Sequence, residues 1–355
     1  MTLQGAATAP HDILAELSRR APAAWADWRP EGKAAIAGSE RAIFEGPSGL
    51  TRAERHAVAA ICAELCGESE LAGYHRALGE EDKATHRLPA LAAHAEMLSL
   101  RPHKASRAWI QELERAHLAP RDIVMLSQLV AYVHFVARML AALRAMAAPA
   151  VADAPPALVL PAREAGTADF GFTMEKLEWD AWAPVLDLAQ AGPDEIAVLE
   201  ESHPQARTSD YYLLLVQEPE VLRQRSRLFN TIMYGPRGGS RAEREWASTV
   251  ESLLNGCPYC ASVHAQRYVQ LAKDEVGMRR LLMEGARAEM PPRLRAITDA
   301  SLRLSLTPPA LTPAAIGALR GQGMADEEIL DVLAAVAMFA WANRLMQTLG
   351  EPRRP

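Results

Sequence analysis

The sequence predicts an all-α protein made of two tandem helical domains, and three observations carry that expectation. Aromatic residues are only 6% of the chain. Period-2 alternation of apolar and polar residues is scarce. Long Ala/Leu-rich segments instead repeat apolar residues at i, i+3, i+4 and i+7, the spacing of one helix face. The clearest such segments are 54–65, 121–146, 241–254, 258–271 and 326–349.

The division in two follows from length and from one break in the pattern. At 355 residues, 49% hydrophobic and 23% charged, the chain has the balance of a globular protein about two ordinary domains long. Between Ala147 and Thr167 the periodicity stops, and Pro155, Pro156 and Pro161 remove backbone donors that a helix needs. The expected organisation is a first domain over 1–147, a Pro/Ala-rich linker over 148–168 and a second domain over 169–355.

Composition narrows the function. The formal net charge is -6 with no basic block, which disfavours a nucleic acid or an anionic membrane as partner. The longest apolar stretch, Val332 to Ala342, is short for a bilayer span, and the first residues carry His11, Asp12 and Glu16 where a signal peptide is basic and then apolar. Four cysteines are too few for a disulfide framework at this length, so a reducing, cytoplasmic setting is expected. In that setting a Cys-x-x-Cys pair points to redox chemistry or to a metal site.

The two halves resemble each other. Gly46-Pro47 followed by Thr51-Arg52-Ala53-Glu54-Arg55 recurs as Gly235-Pro236 followed by Ser240-Arg241-Ala242-Glu243-Arg244. Each places Ser or Thr three residues before Glu at a helix start, the pattern of a capping box. In the same register His75 falls at His264 and Gly67 at Gly256, while Glu68, Leu71 and His56 stand at Cys257, Cys260 and Glu245. The first copy therefore lacks the groups that could carry chemistry, and His75 reads as a relic.

Those groups lie in one stretch of the second copy. Asn255-Gly256 is a helix stop and Pro258 a helix start, so Cys257 and Cys260 are expected at the N-terminal tip of a new helix. The positive end of the helix dipole lowers a thiol pKa, to roughly 3.5–7.5 in favourable cases, and a solvated, reactive tip is expected. Cys257, Cys260 and His264 project within roughly 60° of one another on that helix. If the helices flanking Gly256 form a hairpin, Glu245 lies at the depth of His264, and a carboxylate beside an imidazole makes a proton relay for a nearby thiol. Zinc held by Cys257, Cys260 and His264 is an alternative, with three ligands and no second Cys-x-x-Cys. Tyr259 reads either as a wall of the site or as ordinary packing. Cys62 and Cys66 read as small core residues, with a second redox pair as the alternative. Trp25 and Trp28 read as an anchor for the N-terminal segment.

Glu245, eleven residues, Cys257, two residues, Cys260, three residues and His264 together resemble the signature of the alkylhydroperoxidase D family, within the carboxymuconolactone decarboxylase-like superfamily. The resemblance covers 228–349, including Phe339, Asn343 and Arg344, and extends weakly over 46–146 as a degenerate copy. It implies two alkylhydroperoxidase D-like helical domains and a thiol peroxidase in which Cys260 is peroxidatic, Cys257 is resolving and Glu245 and His264 relay protons. It calls for no cofactor or metal, and for a hydroperoxide substrate and a dithiol reductant of lipoyl or thioredoxin-like type. It also implies a homo-oligomer, with a trimer of two-copy chains the expected form. Members often carry His before the second cysteine; Tyr259 stands there in this chain. An acid–base enzyme akin to a lactone decarboxylase, for which the cysteines would be unnecessary, and a non-catalytic scaffold are the competing functions.

Overall fold

A computed structural model describes residues 12–19, 21–79, 85–149, 154–161, 166 and 168–355. Helices α1 (Ile13–Ser18) and α2 (Ala23–Ala26) lead into a first set: α3 (Pro30–Phe44), α4 (Arg52–Leu65), α5 (Ser69–Gly79), α6 (Leu88–Leu100), α7 (Arg107–Arg115) and α8 (Pro120–Ala147). Strand β1 (Glu178–Ala181) and helices α9 (Pro193–Ser202) and α10 (Asp210–Leu215) separate it from a second set. That set is α11 (Pro219–Tyr234), α12 (Arg241–Leu254), α13 (Pro258–Ala272), α14 (Glu275–Glu284), α15 (Pro292–Ser305), α16 (Pro313–Gly321) and α17 (Asp326–Thr348), and the chain closes on β2 (Gly350–Arg353). The all-α expectation holds. The two short strands pair antiparallel, Glu178 opposite Arg353, and tie the C-terminus to the segment before α9.

The duplication extends to individual hydrogen bonds. Helices α3, α4, α5, α6, α7 and α8 correspond in order to α11, α12, α13, α15, α16 and α17, with α14 inserted in the second set. Arg55 donates to the carbonyls of Ile43 and Gly46, and Arg244 donates to those of Ile232 and Gly235. Gly67 and Gly256 follow the C-caps of α4 and α12 with φ of 71° and 69°. Each is followed by an N–H that reaches back five residues, Glu68 to Ala63 and Cys257 to Ser252, both at 2.9 Å. A side chain with a Cβ is disfavoured at such a left-handed position, so glycine ends both helices the same way. The caps at the other end differ from expectation. Thr51 and Glu54 make the full reciprocal box, whereas Ser240 accepts from the Glu243 N–H and the Glu243 carboxylate turns to Arg293 at 2.5 Å. Glu54 also pairs with a guanidinium, that of Arg87 at 2.6 Å, yet keeps its bond to the Thr51 N–H, so the ion pair by itself does not account for the difference.

The two sets pack on each other along matching helices, α3 on α11 and α8 on α17, around one continuous apolar core. Ion pairs join them at both ends: Arg29 to Asp331 at 2.6 Å, and Arg121 to Glu218 at 2.7 Å. At the centre, Arg138 of α8 donates to the Ser305 carbonyl and Arg344 of α17 donates to the Ser99 carbonyl, so each helix closes the end of a helix in the other set. Trp25 and Trp28 stack at 5.1 Å, and the Trp28 indole donates to Asp331, which anchors the N-terminal segment as expected. The run 332–342 belongs to a longer apolar helix: by length and composition α8 and α17 could each cross a bilayer, but here their surface is buried against the rest of the chain. Of the expected linker, residues 154–161 form neither helix nor strand; 150–153, 162–165 and 167 lie outside the described residues, as does His11.

Candidate active site

The site is built on the turn between α12 and α13. Glycine at 256 reverses the chain and Pro258 opens α13, whose first N–H groups need no partner within the helix. The reversal lays α13 along α12 and sets Glu245, one turn into α12, against His264, midway along α13. His264 Nδ1 and Glu245 Oε2 are 2.5 Å apart, and both side chains are buried. The other carboxylate oxygen accepts from Arg241 Nε at 3.3 Å. Phe339 of α17 stands edge-on to the imidazole, with centroids 4.2 Å apart. A carboxylate on Nδ1 fixes the tautomer and ring angle, and leaves Nε2 as the nitrogen available for proton exchange.

The cysteines occupy the helix tip, but the tip is not solvated. Cys257 is 1% and Cys260 4% exposed. The C-terminal end of α17, β2 and the loop before α7 cover it: Met346, Gln347, Pro352 and His103 line the narrow crevice beside Cys257. Gln347 also donates to the Asn255 carbonyl at 3.0 Å, closing the turn. Burial pushes the Cys257 thiol well up, and the hydrogen-bonded Cys260 beside it adds to the rise; the Tyr259 and Cys260 backbone N–H groups favour the thiolate but do not offset the burial. The low pKa expected at a helix N-terminus is therefore not realised at Cys257, because desolvation exceeds the dipole's contribution.

Cys260 faces the other way. Together with Glu245, Tyr259, His264 and Phe339 it lines a cavity of about 400 Å³. Tyr259 lines both this cavity and the crevice at Cys257. It is therefore a wall between the two spaces, and burial pushes its phenol up to about 12. The opposite wall comes from α10 and α11, including Tyr211 and Arg225. Nothing in the sequence pattern singled out these two, since Arg225 stands among Arg223 and Arg227, which form ordinary surface ion pairs. Among the described residues no three His, Cys, Asp or Glu side chains are grouped to hold a metal ion.

The corresponding place in the first copy is filled. His56 and His75 meet Nδ1 to Nδ1 at 3.1 Å, where Glu245 and His264 meet in the second copy, and Phe44 packs on both rings. Burial pushes the His56 pKa down to about 4 and that of His75 to about 3. Glu68 pairs with Arg144 at 2.5 Å and Leu71 is fully buried. Cys62 and Cys66 are buried free thiols inside the core, Cys62 near the Ser99 hydroxyl and Cys66 near His134.

A helical hairpin that holds a Cys-x-x-Cys pair at its turn and a Glu–His pair farther along is thus the candidate site among the described residues. Residues 219–303, from α11 into the last turn of α15, match the model of the carboxymuconolactone decarboxylase family, and this places the second copy in that superfamily. A solved structure from Ralstonia eutropha JMP134, described as an alkylhydroperoxidase AhpD core of an uncharacterized peroxidase-related protein, is 26% identical over 47% of this chain and 88% of its own, with a TM-score of 0.42. An uncharacterized peroxidase-related protein from Silicibacter sp. TM1040 is 24% identical over 48% of this chain and 91% of its own, with a TM-score of 0.40. No curated protein matches the sequence.

Proposed function

We propose that the chain is a thiol-dependent hydroperoxide reductase of alkylhydroperoxidase D type. The observation that carries this reading is the division of labour at the turn: Cys260 shares a cavity with the Glu245–His264 pair, and Cys257 lies hydrogen-bonded behind it. His264 takes the Cys260 proton, and the thiolate sulfur attacks the terminal oxygen of ROOH. The O–O bond breaks, the alkoxide leaves as ROH with the proton carried by His264, and Cys260 becomes a sulfenic acid. Cys257 then attacks that sulfur, the S–S bond forms and water leaves. A dithiol reductant of lipoyl or thioredoxin-like type restores both thiols and is itself oxidised to the disulfide. In this reading the protein works in the cytoplasm as a closed homo-oligomer, with one active site per chain.

The test is peroxide consumption with dithiothreitol, coupled to sulfenate trapping in Cys257→Ser and Cys260→Ser variants. The expected adduct forms at Cys260 in the first variant and is absent from Cys257 in the second; the reverse pattern would mean the roles are exchanged. A second reading draws on the family match and on the depth of the thiols: an acid–base enzyme in which His264 and Glu245 move a proton at carbon and the cysteines are structural. It requires that the double cysteine variant keep its activity, whereas the peroxidase reading requires that it lose it.

A further inference from the structure

We infer that the cavity beside Cys260 binds its ligand by a carboxylate, held by Arg225, so that the preferred substrates are hydroperoxides of carboxylic acids rather than neutral alkyl hydroperoxides. The substrate half of this inference rests on the peroxidase reading; the carboxylate half does not.

Arg225 projects from α11 into the cavity wall and is only 4% exposed. It makes no hydrogen bond or ion pair among the described residues, and its Nε is sealed from solvent without an acceptor. Its neighbours are ring faces: its guanidinium carbon lies 5.6 Å from the Tyr211 centroid and 5.8 Å from that of Trp341. Such rings stabilise a cation, yet they leave unused the N–H donors that lie in its plane. An unpaired Nε is common to the buried arginines Arg55, Arg138, Arg244 and Arg344, but each of these also donates from its terminal nitrogens to backbone carbonyls, which Arg225 does not. A buried guanidinium without a counter-charge carries a large desolvation penalty, and a carboxylate bound by two parallel N–H bonds is the ligand that relieves it.

The remaining charges agree. Lys176 and Arg267 line the same cavity, and its one carboxylate, Glu245, is already engaged by His264 and Arg241. The Tyr211 hydroxyl, also buried without a partner, supplies a further donor in the wall that holds Arg225. Phe229, Val263, Phe339, Ala342 and Met346 line the same cavity and give the ligand's hydrocarbon part an apolar surface.

Calorimetry on the reduced full-length chain with octanoate and octanamide tests the binding. Octanoate should bind about 10- to 100-fold more tightly, the factor expected for a charge-assisted pair. Arg225→Met should remove that difference and Arg225→Lys should keep part of it. Equal affinities for the two ligands, or no octanoate binding, would overturn the inference with the wild-type protein alone; so would a folded Arg225→Met variant that keeps the preference. In parallel, kcat/KM for a fatty acid hydroperoxide and its methyl ester should favour the free acid by a similar factor, and a preference for the ester would overturn the substrate half. Turnover of neither would reject the peroxidase reading, and the substrate half with it, while calorimetry still decides whether Arg225 holds a carboxylate.

Discussion

Glu245→Gln separates a working proton relay from a merely structural ion pair. The side chain is 2% exposed, and its two oxygens are spent on His264 at 2.5 Å and Arg241 at 3.3 Å. Glutamine keeps the shape but has one acceptor, so its amide NH2 must face either the Arg241 donor or the Nδ1 side of His264. One charge-assisted bond is lost, which costs the fold about 1.5–3 kcal/mol. If the pair also moves the proton that creates the Cys260 thiolate and later protonates the leaving alkoxide, turnover should fall about 10²- to 10⁴-fold, or roughly 3–5 kcal/mol of barrier. Peroxide consumption under dithiothreitol gives the rate, and thermal unfolding gives the cost to the fold. Rapid-quench trapping of the Cys260 sulfenate shows whether the loss lies in the peroxide step. A folded Glu245→Gln protein that turns over within about threefold of the wild type would refute the relay, because general acid–base catalysis is not worth so little.

Three further outcomes follow from the same contacts. His56 and His75 are neutral in the folded chain down to about 4 and about 3, whereas free imidazoles protonate near 6.5; the unfolded chain therefore takes up protons first, and their contribution to stability, complete above about pH 6.5, is lost as pH falls toward 4. A His56→Phe/His75→Leu variant should lose less stability than the wild type over that interval, by about 6 kcal/mol for the two groups together, and identical pH profiles of the urea midpoint would contradict this. Replacing Cys62 and Cys66 together with Ser should leave peroxide turnover intact, since both thiols are sealed in the core and burial pushes Cys62 up to about 12; loss of turnover in a folded variant would give them a role. The chain should assemble, with a trimer expected and Leu271, Val276 and Met283 exposed on α13 and α14 as apolar surface for contact; light scattering that finds only the 38.7 kDa species would rule this out.

Local chemistry was legible in the sequence, and long-range burial was not. The periodicity of 121–146 and 326–349 located α8 and α17 to within a residue at each end, because apolar spacing and caps are properties of contiguous residues. The Glu245–His264 contact was legible for the same reason: a glycine stop and a proline start make a hairpin, and helical rise then fixes which side chains meet. The burial of Cys257 was not, because it depends on Met346, Gln347, Pro352 and His103, brought there by the far end of α17, by β2 and by the first copy. Arg225 was hidden for a further reason. Its neighbours in sequence are surface arginines, and only the fold turns it toward Tyr211 and Trp341 while they face solvent.

The first copy also gives the second a partner of the opposite charge. Arg29 and Glu218 stand at corresponding places, just before α3 and α11, and each reaches across to the other copy, Arg29 to Asp331 on α17 and Glu218 to Arg121 on α8. With Ile123 aligned to Ile329 and Arg138 to Arg344, Glu327 takes the place of Arg121. Two second copies packed in this way would set Glu218 against Glu327 and Asp331, and two first copies would set Arg29 against Arg121. Glu218 and Asp331 are nearly buried, so such like-charged meetings would be costly. At the centre, the first copy has Cys62 where the second has Glu251, whose carboxylate lies 3.8 Å from Arg138 Nε. Two first copies would leave both buried arginines there without a carboxylate. Pairing one copy of each kind avoids all of these costs, and this is a structural reason for the copy without the cysteines and the glutamate to stand beside the copy that has them.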